Sequence, residues 1–230
     1  MSKAVLFCLR SMILTAVFFR PVRKLSLNTE RKSDGDAKAA VNFCLSDFAD
    51  IFGVGGGGDG GTGLGPGVSG LVVFAKTSKA LARLNEMFRN SEVKKTYWAV
   101  VKNRPRESEG ELVNYLVRNE KQNKSYAYDK EVPNSKKAIL HYRLIARSQN
   151  YYLLEIDLKT GRHHQIRCQL AKMGCPIKGD LKYGSPRSNP DGSICLHARF
   201  VRFVHPVSKK LIEVEAPVPA GNLWNGFEMV

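Results

Sequence analysis

The sequence has few cysteines, and they form no recognisable framework. Its 230 residues contain no Cys-x-x-Cys pair, and its five cysteines are Cys8, Cys44, Cys168, Cys175 and Cys195. An odd number without paired spacing argues against the disulfide framework of a secreted domain and indicates a reducing compartment. Cys195 and His197 are close in sequence, but together with the other cysteines they match no common zinc site. We therefore expect small buried thiols and no bound metal.

The first 29 residues lack acidic side chains and any long apolar run. Basic, apolar and hydroxyl residues without an acid before Glu30 are typical of an organelle transit peptide. Arg10 and Arg20 interrupt the apolar stretches, which are therefore too short to span a bilayer. We expect residues 1–52 to be a leader, either a transit peptide or a mis-assigned start. The compartment would be cytoplasmic or mitochondrial.

Residues 53–67 are dominated by glycine. The backbone entropy of such a run opposes fixed structure and predicts a linker. A phosphate-binding loop is the alternative, but no Gly-Lys-Ser/Thr follows the run. We expect this linker to precede one folded, monomeric domain at 68–230.

Acidic residues are too few to balance the basic ones. Lys and Arg number 36 against 21 Asp and Glu, which gives a net charge of +15 and a pI of about 9.7. Such a surface attracts polyanions, so nucleic acid is the leading partner class and an acidic membrane surface the second. Basic residues spread evenly for solubility are the alternative.

From Gly70 onward, apolar periodicity predicts an α+β fold with a mixed, mainly antiparallel sheet and a few flanking helices. A helix is expected after Thr77 or Ser78, and another is expected to be capped by Thr160. The predicted strands are 71–75, 95–101, 125–132, 138–147 and 151–159, with a hairpin at 196–204 and 210–216.

The most distinctive segment is Lys-Thr-Gly-Arg-His-His-Gln-Ile-Arg at 159–167. It would place Arg162 in the first turn of a helix after a strand, where backbone N–H groups and a guanidinium can hold an anion. An amphipathic helix with solvated charges explains the spacing equally well.

Five blocks of sequence occur in an order and spacing that resemble the RluA-like pseudouridine synthases. They are Val-Ser-Gly-Leu-Val-Val-Phe-Ala-Lys-Thr at 68–77, Lys-Lys-Thr-Tyr at 94–97, Thr-Gly-Arg-His-His-Gln-Ile-Arg at 160–167, Gly-Asp-Leu-Lys-Tyr-Gly at 179–184, and Leu-His-Ala at 196–198 with His-Pro at 205–206. The resemblance covers roughly positions 62–219. It implies the pseudouridine synthase type of sheet.

The resemblance also implies a function and a set of site residues. The expected activity is the isomerisation of uridine to pseudouridine in structured RNA, rRNA or tRNA, without cofactor or metal. Tyr97 would pack on the target base, Arg162 would pair with a catalytic aspartate, and Leu196 would line the base pocket. The residues expected to grip RNA phosphates are Lys76, Arg167, Lys178 and Lys182.

The sequence departs from the family pattern at the aspartate. The family's His-Arg-Leu-Asp block falls on Thr-Gly-Leu-Gly at 62–65, so the catalytic aspartate aligns with Gly65 and its neighbouring arginine with Gly63. Asp59 lies in the flexible glycine run, which cannot position a carboxylate for catalysis. The family's opening strands are also not recognisable in residues 1–61. A non-catalytic RNA-binding protein on this scaffold is therefore the alternative to an active isomerase, and a mis-assigned start is a further explanation.

Overall fold

The computed structural model describes residues 4–8, 13–18, 67–75, 78–219 and 222–229. Within these residues, eleven strands form one sheet. The strands are β1 (Ala4–Cys8), β2 (Ile13–Phe18), β3 (Val68–Ala75), β4 (Lys94–Val101), β5 (Glu109–Asn119), β6 (Lys124–Tyr128), β7 (Lys136–Arg147), β8 (Tyr152–Leu158), β9 (Leu196–Val204), β10 (Leu211–Glu215) and β11 (Glu228–Met229).

The strand order across the sheet is β1-β2-β3-β9-β4-β8-β7-β5-β6, with β10 added on β9 and β11 on β7. Every pairing is antiparallel except that of β3 with β9. The predicted mixed, mainly antiparallel sheet is confirmed.

The parallel pairing of β3 with β9 depends on a glycine. Gly70 has a φ of 113°, and a Cβ at this position would collide with the backbone of Ala198 on β9. Glycine adopts this φ without steric cost, so the two backbones can approach closely. This pairing joins the N-terminal strands to the centre of the sheet.

The helices of the described residues are short. They are α1 (Ser78–Arg89), α2 (Gln165–Lys172), a 3₁₀ helix (Leu181–Tyr183) and α3 (Asn222–Asn225). The helix expected after Thr77 or Ser78 is α1, whose Leu81 and Leu84 are buried where the helix packs against β3. None of the described helices has the length and apolar composition needed to cross a bilayer.

The core lies along the central strands. Val100 and Val101 of β4 and Leu154 and Ile156 of β8 are fully buried, as is Leu140 of β7. Removing such side chains from water is the main favourable contribution to folding, at roughly 1.5–3 kcal/mol each. The centre of the sheet is therefore the rigid platform on which the site described below is built.

Residues 1–61, in which the sequence showed none of the family's opening strands, contain the two strands β1 and β2. β1 pairs with β2, and β2 pairs with β3 from Ile13↔Ala75 to Phe18↔Gly70. The apolar runs that were predicted to belong to a transit peptide thus extend the sheet beyond β3. The rest of the predicted leader, and the glycine linker up to residue 66, lie outside the described residues.

The second predicted helix begins later than expected. Thr160 was the predicted N-cap, but α2 starts at Gln165 because His164 adopts a left-handed backbone with φ of 51°. Arg162 therefore lies in the loop before the helix and not in its first turn. The predicted strand at 125–132 is also shorter, since β6 ends at Tyr128.

Candidate active site

Tyr97 is positioned by the middle of the sheet. It lies on β4 opposite Ile156 of β8, next to an irregularity in the pairing of β4 with β9 between Thr96 and Tyr97. The residue is only 2% exposed, and burial raises the pKa of its phenol well above the usual range. Tyr97 is therefore a neutral, immobile ring at physiological pH.

Arg162 is held by the loop between β8 and α2. Its Nε donates to the carbonyl of Lys137 at 3.1 Å, and its backbone N–H donates to Oε1 of Gln165 at 3.0 Å. The same Oε1 accepts from Thr160 Oγ1 at 2.8 Å. Among the described residues no carboxylate pairs with the Arg162 guanidinium, so its charge remains open to an anion.

Tyr97, Arg162 and Leu196 line one small, narrow cleft. Leu158, at the end of β8, and residues 164–167 complete its lining. The cleft combines an aromatic ring, an apolar side chain and a cation, a combination that binds the faces and the polar edges of a flat heterocycle.

A buried hydrogen-bond network holds one wall of the cleft. Arg167 forms a bidentate pair with Asp180, with Nε to Oδ2 at 2.6 Å and Nη2 to Oδ1 at 2.7 Å. Its Nη1 donates to Nε2 of His164 at 3.0 Å, and Nδ1 of His164 contacts the hydroxyl of Tyr183 at 2.9 Å. That hydroxyl also accepts from the backbone N–H of Ser125 at 2.8 Å.

The network fixes the protonation state of His164. Arginine only donates, so Nε2 of His164 must accept and Nδ1 must carry the proton. Burial, and then the positive charge of Arg167, lowers the pKa of His164 to about 2. A neutral His164 thus connects α2 to the 3₁₀ helix and to β6.

The model of the family described as RNA pseudouridylate synthase matches residues 63–172. An uncharacterised RNA pseudouridine synthase of Zymomonas mobilis is 33% identical over 163 residues, which is 69% of this chain and 72% of that protein. The chain belongs to the RNA pseudouridine synthase family. The resemblance predicted from five sequence blocks is confirmed.

Other pseudouridine synthases are similar over a smaller share of their length. One from Synechocystis sp., also uncharacterised, is 34% identical over 185 residues, covering 78% of this chain and 56% of that protein. The ribosomal large subunit pseudouridine synthase D of Haemophilus ducreyi is 32% identical over 165 residues, covering 66% and 50%. This chain spans about half the length of most of the curated relatives it matches.

Two solved human structures share the pseudouridine synthase fold. RNA Pseudouridylate Synthase Domain Containing 1 superposes with a TM-score of 0.58 at 22% identity, covering 71% of this chain and 70% of that one. RNA Pseudouridylate Synthase Domain Containing 4 gives a TM-score of 0.56, also at 22% identity, covering 70% and 73%. The sheet described above is therefore that of this family.

Of the described residues predicted to grip RNA phosphates, Lys178 and Lys182 do not line the cleft. Arg167 lines it, but its guanidinium is engaged by Asp180. Lys178 is half-buried, donates to Oδ1 of Asn189 and lies 5.7 Å from the Tyr151 ring centroid. Each of these two cations already has protein partners, and their RNA contacts stay predictions.

Lys182 is the most accessible of the predicted RNA-binding residues in the described part of the chain. It is exposed and donates to the backbone carbonyls of Asn123 at 3.1 Å and Gln122 at 3.4 Å. Its RNA contact also stays a prediction. Lys76 and Gly65 lie outside the described residues.

Sequence reasoning missed the residues that hold this pseudouridine synthase site in shape. Gln165 organises the loop of Arg162, while Asp180 and Tyr183 anchor Arg167 and His164. All three belong to blocks that carried the resemblance, but nothing in their spacing assigned them a role. Among the described residues, no three histidine, cysteine or carboxylate side chains converge to hold a metal ion.

Proposed function

We propose that this chain binds structured RNA, rRNA or tRNA, and takes an extruded uridine into the cleft. The observation that carries this proposal is the convergence of Tyr97, Arg162 and Leu196 on one small cavity. A base must leave its stack to reach such a cavity, and aromatic and apolar side chains then replace the lost stacking. The net charge of +15 supplies the long-range attraction for RNA.

The roles of the three residues follow from their chemistry. The neutral ring of Tyr97 packs on the pyrimidine, and Leu196 covers its apolar edge. Arg162 supplies a positive charge that no described carboxylate neutralises, so it can face an anion next to the bound nucleotide. The partner is RNA, and no small-molecule cofactor is required for this binding.

We further propose that the chain as printed binds uridine without efficient isomerisation. Glycine occupies position 65, to which the resemblance assigns the family's catalytic aspartate. Loss of a central catalytic group typically lowers the reaction rate by orders of magnitude. The side chain of glycine is a hydrogen atom, which cannot act as a nucleophile or a base. Isomerisation to pseudouridine is the second candidate function, and membership of the family favours it.

A gain-of-function variant tests this proposal. Gly65→Asp introduces a carboxylate at the position that the resemblance assigns to the catalytic aspartate, whereas Gly63→Asp, the matched control, places the same charge two positions away in the sequence. The assay is tritium release from rRNA and tRNA transcripts labelled at uridine C5, because isomerisation exchanges the hydrogen at that carbon. We expect no release by the original chain or by Gly63→Asp, and clear release by Gly65→Asp.

RNA binding is measured on the same proteins by filter retention at several salt concentrations. We expect the original chain to bind with an affinity that falls steeply with salt, as phosphate contacts require. Turnover by the original chain would overturn the non-catalytic assignment and establish the isomerase. Absence of salt-sensitive RNA binding would overturn the proposed function itself.

A further inference from the structure

A second, larger cavity adjoins the cleft. It has a volume of about 650 Å³ and lies where the first residues of β4 meet the last residues of β8 and β9. Its lining consists of residues 91–95, Ile139, residues 157–160, residues 202–204 and Leu211. Leu158 lines both this cavity and the cleft. We call this larger cavity the lysine groove.

Lys95 is the unusual member of the lysine groove. It is only 4% exposed, and its Nζ lies 5.5 Å from the ring centroid of Phe88 on α1. Within the described part of the chain, no hydrogen bond or ion pair of the Lys95 side chain is found. Burial lowers the pKa of its amine to about 8, so most molecules carry the charge at neutral pH.

The neighbouring carboxylates do not neutralise Lys95, because they have other partners. Asp157 accepts from Thr96 Oγ1 at 3.0 Å and lies 3.7 Å from Nζ of Lys94 and 3.9 Å from Nζ of Lys159. Glu92 accepts from Nδ2 of Asn90 at 3.0 Å.

The fourth cation of the groove, Arg202, pairs outside it with Glu213 at 3.6 Å. The groove thus has four cationic side chains and two carboxylates. Its remaining described walls, including Leu211 of β10, carry no charge.

Burying a cation without a counter-charge costs folding free energy, because the charged form loses its hydration. Desolvating an ammonium disfavours its charged form, and proteins normally pair it or expose it. A lysine can bury its methylene stem for packing, but it then extends its ammonium to water. Lys95 is instead buried together with its ammonium, and the residue forms part of the lining of the groove. The uncompensated positive charge of Lys95 would therefore attract an anion that enters the groove.

We propose that the lysine groove binds a phosphate group of the RNA backbone, with Lys95 as its buried cation and Lys94 and Lys159 at its rim. This proposal rests on the proposed function, in which the protein binds RNA. It adds the place at which the RNA backbone next to the flipped uridine is held.

The position of Lys95 relative to Tyr97 favours a phosphate close to the target nucleotide. The two residues are separated by a single position on β4, which corresponds to about 7 Å along a strand. Leu158 connects the groove to the cleft. A nucleotide whose base lies on Tyr97 would therefore have a neighbouring phosphate within reach of Lys95.

The first experiment follows the Lys95 ammonium directly. Lysine Cε resonances of the full chain are recorded by NMR from pH 6 to 11, with and without inorganic phosphate, and Lys95 is assigned by its absence from Lys95→Met. In free protein we expect Lys95 to titrate near pH 8. Phosphate favours the protonated form, so it should raise the pKa of Lys95 and should bind more weakly as pH rises through 8. An unchanged Lys95 titration at saturating phosphate would overturn the proposal.

The second experiment measures binding of a uridine-free oligoadenosine RNA, which separates the groove from the cleft. Lys95→Met should weaken binding by roughly tenfold or more, since charge-assisted contacts contribute that much. Lys102→Met, at an exposed position on the turn after β4, is the matched control and should change it less than about threefold. Lys95→Arg should retain most of the affinity.

Folding of the variants is checked by thermal unfolding, where Lys95→Met should not lower the midpoint because it removes a buried charge. Equal oligoadenosine binding by Lys95→Met and the original chain would overturn the groove and leave the uridine cleft untouched. Phosphate binding at Lys95 together with failure of uridine RNA binding would overturn the cleft instead.

Discussion

Arg167 and Asp180 form the most deeply buried ion pair of the described residues, with side chains 16% and 1% exposed. The family resemblance implied an RNA-binding role for Arg167. Its partner lies beyond the helix in another block, and no periodicity indicates that the two side chains meet. The pair places α2 against the 3₁₀ helix and thereby shapes a wall of the cleft.

Asp180→Asn should destabilise the protein markedly. Removing one charge of a buried, bidentate pair leaves Arg167 uncompensated, and we expect a loss of about 3 kcal/mol in the free energy of unfolding. Equilibrium urea unfolding measures it. Glu155→Gln, in the exposed pair with Arg143, is the control and should cost below about 1 kcal/mol. Equal effects of the two substitutions would contradict a structural role for Arg167.

At the scale of elements, the sequence predicted strands wherever apolar alternation was strong. β4, β7, β8 and the β9–β10 hairpin were identified near their observed ends. β5 was missed because its half-exposed sequence, Glu-Gly-Glu-Leu-Val-Asn-Tyr-Leu-Val-Arg-Asn, mixes charge and glycine into the pattern. Its place in the sheet comes from pairing with β7 and β6, which local propensity does not encode.

In the loop between β8 and α2, too, a tertiary contact that the sequence pattern does not encode determined the structure. The motif correctly selected Arg162, but the helix boundary depends on the side chain of Gln165. That side chain bonds Thr160, the N–H of Arg162 and, through Nε2 at 3.1 Å, the carbonyl of Ile139 on β7. A tertiary contact of this kind overrides the capping tendency of a threonine.

Gln165→Ala should therefore loosen the loop and the cleft together. We expect about 2 kcal/mol lower stability from the lost hydrogen bonds, and weaker uridine RNA binding because Arg162 is no longer positioned. Thermal unfolding and filter retention measure the two effects. Gln122→Ala, which removes an exposed hydrogen bond with the Tyr126 hydroxyl, should change neither. Unaltered RNA affinity in a destabilised Gln165→Ala would argue against a positioning role.

For the whole molecule, buried histidines set the response to acid. Burial lowers the pKa of His164 to about 2 and that of His197 to about 4, so both are neutral in the folded protein. The unfolded chain takes up protons at these residues below about pH 6.5. Stability contributed by their neutral forms is thus complete above that pH and is lost as the pH falls.

Lowering the pH from 7 to 5 should reduce the free energy of unfolding by about 2 kcal/mol for each of the two histidines. Urea unfolding across this range measures the loss. His197→Gln should reduce the slope with pH by removing one of the two contributions. A stability that does not change from pH 7 to 5 would show that the histidines are protonated in the folded state.

The parallel pairing of β3 with β9 has a consequence for how the chain acquires its structure. The strands that this pairing joins are more than a hundred residues apart in sequence, whereas β5 pairs with the nearby strands β6 and β7, and β7 pairs with β8. Local hairpins form early, and contacts between distant segments form late because closing a long loop costs entropy. On a translating ribosome, β3 must therefore wait until β9 has emerged, and the apolar face of the early strands needs protection from neighbouring chains during that interval.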